Sequence, residues 1–302
     1  MNSVSPPAGR PARTISLIVN PSAGGGRAGR HLEAVGRALS ARGLEHHVER
    51  TRSLEHARDL ALQAAAAGEI AVAFGGDGLI GAVAGALRGS DGVLGMLPGG
   101  RGNDLARVLE IPLDPVAACE VLASGAVRPL DLGEAGGRTF IGIASCGFDS
   151  DANRIANQAR IVRGNLVYTY GALRALLTWR PATFTVTLDG RASHTIRGYT
   201  IAAANSKAYG GGMLLAPDAS LEDGLLDVVM VEHVPKARFL RLLPTVFKGA
   251  HVSLPNVHVE RAAEVRIAAD RPFTVYADGD PIAELPVTVR ALQAAVRMIV
   301  PA

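Results

Sequence analysis

Hydrophobic residues in the first 130 positions follow two alternating rhythms. Ile15–Val19, Ile70–Phe74 and Val93–Leu97 are short apolar runs of the kind that fill the middle of a parallel sheet, where both faces are covered. Leu44–Val48 is a further strand. Between these runs the apolar positions recur at helical spacing. Leu32, Val35, Ala38 and Leu39 mark one face of a helix over Arg27–Arg42 that Gly43 ends, and a second helix over Leu54–Ala67 stops at Gly68. Shorter helices follow at Leu79–Leu87, at Asn103–Leu109 with Asn103 as its cap, and at Pro115–Ala123. Strand and helix in strict turn predict a doubly wound parallel sheet with right-handed crossovers.

The rhythm changes after Pro129. Phe140–Ala144, Thr183–Leu188, Thr195–Ala204, Leu225–Val231, Glu264–Ala268 and Phe273–Tyr276 are short strands separated by turn residues, with helical segments near Ala152–Trp179 and Lys236–Phe247. The expected fold class is α/β: an N-terminal doubly wound domain over 14–130 and a C-terminal β-rich antiparallel sandwich over 131–286. Residues 287–302 are apolar again and are expected to return to the first domain, leaving a cleft between the two. Residues 1–13 are rich in Pro, Ala and Gly without an apolar core, and read as a disordered tail, not a signal peptide.

Composition narrows the chemistry. With 302 residues, 48% of them apolar, the chain can bury two cores. A net charge of +3 gives no reason to expect a nucleic-acid partner. Cys119 and Cys146 make neither a disulfide framework nor a zinc cluster, and no apolar run reaches the length of a membrane span. The expectation is a soluble cytoplasmic protein. Lysine occurs only at 207, 236 and 248, so residues 1–206 contain none. A Walker lysine and a protein-kinase strand lysine are thereby excluded from the N-terminal half.

That exclusion matters because three glycine-rich loops sit at the predicted strand ends. They are Asn20-Pro21-Ser22-Ala23-Gly24-Gly25-Gly26, Gly75-Gly76-Asp77-Gly78 and Pro98-Gly99-Gly100-Arg101-Gly102-Asn103-Asp104. A loop that opens onto a helix N-terminus presents free N–H groups to an anion, and glycine lets the backbone come close. Three in series suit a phosphate-bearing ligand along the edge of a sheet, held by main-chain amides, arginine or a metal. Arg101 offers a planar fork for phosphate oxygens, and Asp77 with Asp104 suits a hydrated Mg²⁺. Each motif also has a plainer reading. Gly24, Gly26 and Gly29 match a dinucleotide fingerprint, Asp77 and Asn103 are ordinary helix caps, Arg101 pairs with Asp104, and Asp278-Gly279 is a hairpin turn.

Taken together, the Asn-Pro-x-Ala-Gly start, the Gly-Gly-Asp-Gly turn and the Pro-x-Gly-x-x-Asn-Asp-x-Ala-Arg run resemble the diacylglycerol kinase catalytic-domain family. That family includes soluble bacterial lipid kinases and sphingosine kinases and is more remotely related to NAD kinases. The resemblance continues through Gly210–Gly212, Pro217, Ala219, Leu221–Asp227 and Asp278-Gly279-Asp280, and so covers nearly all of the chain after the tail. It implies an ATP-dependent lipid kinase using Mg²⁺, with 14–130 binding nucleotide and 131–286 binding the lipid. Asn20, Pro21, Ser22, Ala23 and Gly24, Thr51, and Gly75 to Ala82 (with Leu79, Ile80 and Gly81) would wrap the ATP phosphates, near Arg101, Asn103 and Asp104. Ser220, Asp223 and Leu225 would hold a structural Mg²⁺, and Asp278, beside Asp280, would take the proton from the lipid hydroxyl.

Five positions depart from the family pattern. Leu79, Gly81 and Ala82 replace its usual Thr, Asn and Glu, Arg101 stands at its usual threonine, and Asp280 is one methylene shorter than the usual glutamate. Residues 152–188 contain no acid, and Arg154, Arg160, Arg163, Arg174 and Arg180 interleave there with Ile155, Ile161, Val162, Leu166, Val167, Tyr168, Leu173, Leu176, Leu177 and Trp179. A basic amphipathic stretch with an aromatic edge suits peripheral contact with an anionic membrane, or else ordinary packing beneath solvated arginines. Other readings are a kinase of a soluble acceptor such as NAD, a non-catalytic nucleotide or lipid sensor, and a Rossmann oxidoreductase. A homodimer is compatible with all of them.

Overall fold

The computed structural model describes residues 14–158 and 174–302. The tail expected over 1–13, and the middle of the basic stretch over 159–173, lie outside the described residues.

In the N-terminal lobe, β1 (Ile15–Val19), β2 (His46–Arg50), β3 (Ile70–Gly75) and β4 (Val93–Pro98) run parallel in the order β2-β1-β3-β4. Every residue of β1, β3 and β4 is buried, because helices cover both faces. The edge strand β2 lies two residues further on than its apolar signal suggests, and none of its residues is fully buried. The intervening helices are α1 (Ala23–Ala41), α2 (Leu54–Ala66), α3 (Asp77–Leu87), α4 (Asp104–Val108) and α5 (Pro115–Ser124). Gly24, Gly25 and Gly26 at the start of α1 all have positive φ, so regular helix begins at Arg27. Leu17, Phe74, Leu94, Ile80 and Leu39 lie in the core of this lobe.

The C-terminal lobe is an antiparallel assembly. It comprises β5 (Ala126–Ala135), β6 (Arg138–Phe140), β7 (Ile143–Gly147), α6 (Phe148–Gln158), β8 (Ala182–Leu188), β9 (Ala192–Ala204), β10 (Leu226–Glu232), α7 (Lys236–Leu242), β11 (Val257–Ala262), β12 (Glu264–Ala269), β13 (Thr274–Ala277), β14 (Asp280–Glu284) and β15 (Val287–Val300). One path of neighbours runs β14-β13-β7-β9-β8-β12-β15, with β10 and β11 branching from β9. Its core is aromatic. Phe148 meets Trp179, Tyr199 and Phe239 edge-on, and Tyr199 stacks on Phe239 at 4.1 Å between centroids.

Two long strands join the lobes. β15 pairs antiparallel with β12 through Val287–Arg290, then parallel with β4 through Arg297 and Met298. β5 runs antiparallel along β15, with a register shift between Leu292 and Val296. The segment Pro129–Gly133, which reads in the sequence as a domain joint, is unbroken strand, and Pro129 simply occupies a position in the ladder opposite Arg297. Asp131 ties this crossing together. Its carboxylate accepts from Gly224 N at 2.6 Å and from Ala294 N, at the irregularity in β15, at 2.7 Å.

The basic amphipathic stretch changes character in the fold. Leu176 and Trp179 are core residues at 4% exposure, so Trp179 faces inward; Tyr168 lies outside the described residues. Leu177, by contrast, is 81% exposed.

Candidate active site

The three glycine loops meet at the carboxyl ends of β1, β3 and β4. Gly99 N donates to Gly75 O at 2.7 Å, and a Cβ on Gly100 would lie 2.5 Å from Gly76 Cα, so the second and third loops touch backbone to backbone. A Cβ on Gly24 would lie 2.4 Å from Gly99 O, and Gly24 has φ +60°, so the first loop also requires glycine there. Asn20 shapes that loop, its Oδ1 accepting from Ser22 N at 3.1 Å and Ser22 Oγ at 2.8 Å, with Pro21 between them and Ala23 beginning α1. Thr51 follows β2 and donates its N–H to Val19 O, beside the end of β1.

Side chains bind these turns to one another. Asp77, in the first turn of α3, does not cap its own helix; its Oδ1 accepts from Leu105 N at 3.2 Å and so caps α4 from the neighbouring loop. Asn103 does stand at the N-cap position of α4, but its side chain makes no capping bond. It lies in the left-handed region (φ 51°), and its Oδ1 turns back to accept from Gly100 N at 2.8 Å. One main-chain amide of the third loop is therefore already taken. Asp104 accepts from Gly211 N at 2.9 Å and Gly212 N at 2.7 Å, both on the C-terminal lobe, and not from Arg101, which is exposed. These bonds bridge the lobes. Asp104→Ala should lower stability by about 1–3 kcal/mol, read from urea unfolding, because two main-chain donors lose a charged acceptor.

Asp278 closes the site from the opposite lobe. It sits between β13 and β14 with φ 51°, its Oδ2 accepting from Ile141 N and its Oδ1 from Gly142 N, each at 2.9 Å. Its carboxylate faces α3: a Cβ on Gly81 would lie 2.8 Å from Asp278 Oδ2. A Cβ on Gly78 would lie 3.6 Å from both Asp278 O and Asp280 Oδ2, which places Asp280 against the same helix turn. Burial pushes the Asp278 pKa up to about 7; its two N–H partners oppose the shift, while Asp77 and Asp280 add to it. Burial, with Asp104 nearby, also raises Asp77.

Two cation sites follow from the sequence reading, and they fare differently. A Cβ on Gly102 would lie 2.9 Å from Asp104 Oδ2 and 3.3 Å from Asp77 Oδ2, so both carboxylates face a common point without a lysine to neutralise them. That arrangement fits Mg²⁺, which takes one or two carboxylates and completes its shell with water and phosphate oxygen. At the second site Asp223 is ion-paired with Arg261, and its Oδ1 accepts from Leu225 N at 3.0 Å. Ser220 Oγ accepts from Glu222 N, and Asp227 lies 3.7 Å from the same guanidinium. Arg261 is the cation that Asp223 meets in this structure. The resemblance would have Ser220 and Leu225 act through backbone oxygens, whereas the bonds above involve the Ser220 hydroxyl and the Leu225 N–H. Among the described residues no group of three or more His, Cys, Asp or Glu side chains is arranged to hold a metal.

Gly142, Ile141, Gly211 and Gly212 act through main-chain N–H groups and leave no side-chain signal in the sequence. Asp131 does leave one, a single acid inside the apolar run Leu130-Asp131-Leu132.

Comparison with known proteins agrees with this arrangement of loops and lobes. Residues 14–135 match the diacylglycerol kinase catalytic domain, and residues 142–300 match the YegS C-terminal NAD kinase beta sandwich-like domain. The chain belongs to the diacylglycerol kinase and YegS-like lipid kinase family. It is 36% identical to a diacylglycerol kinase of Mycobacterium tuberculosis over 95% of each chain. It is 28% identical to a diacylglycerol kinase of Bacillus subtilis over 87% of this chain and 88% of the other. A Pseudomonas fluorescens relative described as "Probable lipid kinase YegS-like" is 32% identical over 81% and 82%. The fold is shared with the crystal structure of a diacylglycerol kinase from Bacillus anthracis at TM-score 0.76, covering 97% of this chain and 98% of that one at 22% identity.

Proposed function

We propose that the protein transfers the γ-phosphoryl group of MgATP to a hydroxyl of a diacylglycerol-like lipid or long-chain base. The observation that carries this reading is the Asp278 carboxylate, anchored on Ile141 and Gly142 and aimed at the helix that rises from the Gly75–Gly78 turn. The acceptor oxygen forms a bond to the γ-phosphorus, the bond to the β-phosphate bridging oxygen breaks, and the acceptor proton passes to Asp278. The glycine loops position the phosphates through main-chain N–H groups, and Arg101 stands exposed at their edge. Mg²⁺ held by Asp77 and Asp104 would neutralise phosphate charge. Peripheral contact with a membrane would bring the acceptor to the cleft; among the described residues no helix is long and apolar enough to cross one.

Incubation with γ-labelled ATP and a total lipid extract, with NAD in a parallel reaction, tests the assignment. Label is expected in a chloroform-soluble monophosphate. Label in NADP alone, or in no acceptor despite measurable ATP binding, contradicts the lipid assignment.

A further inference from the structure

Most large apolar residues exposed on this protein stand singly, as Val48 and Leu62 do, and such residues need no partner. One group differs. Leu177 (81% exposed) lies on a short helical stretch over 174–178, Leu240 (43%) on α7, and Phe247 (53%) on the 3₁₀ turn Leu243–Lys248 that follows α7. Lys236 Nζ donates to Leu177 O at 2.9 Å and so ties these pieces together. Phe239 turns inward onto Tyr199 and Phe148, while no residue of α7 or of the turn is fully buried. Between Glu232 and Glu260 there is no acidic residue, whereas Lys236, Arg238, Arg241 and Lys248 are all exposed.

This face also borders the cleft. Leu214 N donates to Val246 O at 3.0 Å, and Leu214 follows Gly212, which holds Asp104, by two residues. Two residues of chain span at most about 7 Å.

We propose that the face made by Leu177, α7 and the Leu243–Lys248 turn docks on an anionic bilayer and sets the cleft mouth at the lipid headgroups. Exposed Leu and Phe enter the interface while the cations meet anionic lipid. Charge selects this occupant over a second copy of the chain, because a two-fold contact would set the basic face against itself. The functional meaning of docking rests on the lipid kinase reading, but docking itself is measured without turnover.

The experiment is cosedimentation of the full chain with vesicles of phosphatidylcholine alone and of equal parts phosphatidylcholine and phosphatidylglycerol. The wild type should favour the anionic vesicles. Leu240→Ser with Phe247→Ser, and separately Arg238→Gln, Arg241→Gln and Lys248→Gln, should each weaken that partition by at least about tenfold. Thermal unfolding and turnover of a short-chain dispersed diacylglycerol should stay at wild-type values. The proposal is overturned if the wild type shows no preference for anionic vesicles, or if either variant partitions normally. It is equally overturned if light scattering finds a wild-type dimer that the serine variant splits while vesicle binding persists. Wild-type docking as expected, with no lipid phosphorylated, supports the surface and rejects the kinase reading.

Discussion

Replacing Asp278 by asparagine is expected to lower kcat by about a thousandfold, within the range that a positioned general base supplies, and to leave ATP binding close to wild type. Asparagine keeps the size of the side chain and one carbonyl oxygen for the Ile141 and Gly142 amides, but it accepts no proton from an acceptor hydroxyl. The pH profile makes the test specific. A carboxylate raised to about 7 is protonated in acid, so wild-type turnover should climb as pH rises through that value, and the climb should be absent from the residual activity of the variant. Stability moves the opposite way. Below pH 4 the carboxyl is protonated in both the folded and unfolded chain. From there up to about 7 the folded state keeps a proton that the unfolded chain releases, so this group's contribution is full below the unfolded value and lost as pH rises through the folded one. Asp278→Asn should therefore raise the urea midpoint at pH 8 relative to wild type, and the gain should shrink towards pH 4. A variant that loses turnover with no change in the pH dependence of its urea midpoint would place Asp278 outside the buried site.

Much of this arrangement was legible in the chain. The β1, β3 and β4 runs are apolar throughout because both faces are covered, and burial on two sides is what makes a strand visible without alternation. The edge strand β2 turns His47, Val48 and Arg50 to solvent and carries polar His46 and Glu49 on its half-buried face, so its apolar signal is weak and does not mark its boundary. β5 was missed because Pro129 reads as a break, while the structure puts that proline in a ladder position opposite Arg297. The glycine loops were readable as phosphate-type turns, but not the use of their carboxylates. Asp77 looks like a cap of its own helix and Asp104 like a partner of Arg101, yet one caps a neighbouring helix and the other fastens the opposite lobe. Contacts of that kind join residues 28 and 107 positions apart, and no local pattern encodes them. Arg261 was invisible for the same reason. It lies 38 positions from Asp223, whose carboxylate it pairs with. Trp179 shows the same limit: a basic and aromatic stretch looks amphipathic in sequence, and only the fold shows that this tryptophan belongs to a core.

The departure at Gly81 becomes intelligible in the same light and yields the second large prediction. The family pattern has asparagine here, and Gly81 is one of the departures from it. In the structure the α carbon of Gly81 faces the Asp278 carboxylate from across the cleft, with no room for a Cβ that would approach Asp278 Oδ2 to 2.8 Å. Gly85, one turn further along α3, meets Thr139 of β6 in the same way, at 2.1 Å for an added Cβ. The helix and the C-terminal lobe thus pack backbone against side chain, and this packing is what removes water from Asp278. Gly81→Ala should force the carboxylate away from α3 and strain its bonds to Ile141 and Gly142. A displacement of about 1 Å at a reacting group costs on the order of a hundredfold in rate, so kcat should fall by that order while KM for ATP changes little. The acid limb of the pH profile should move below 7, because desolvation is the largest cause of the raised pKa and a displaced carboxylate regains water. A rise in KM for ATP with kcat and the acid limb unchanged would instead mean that Gly81 serves the nucleotide and that Asp278 takes its position from β13 and β14 alone.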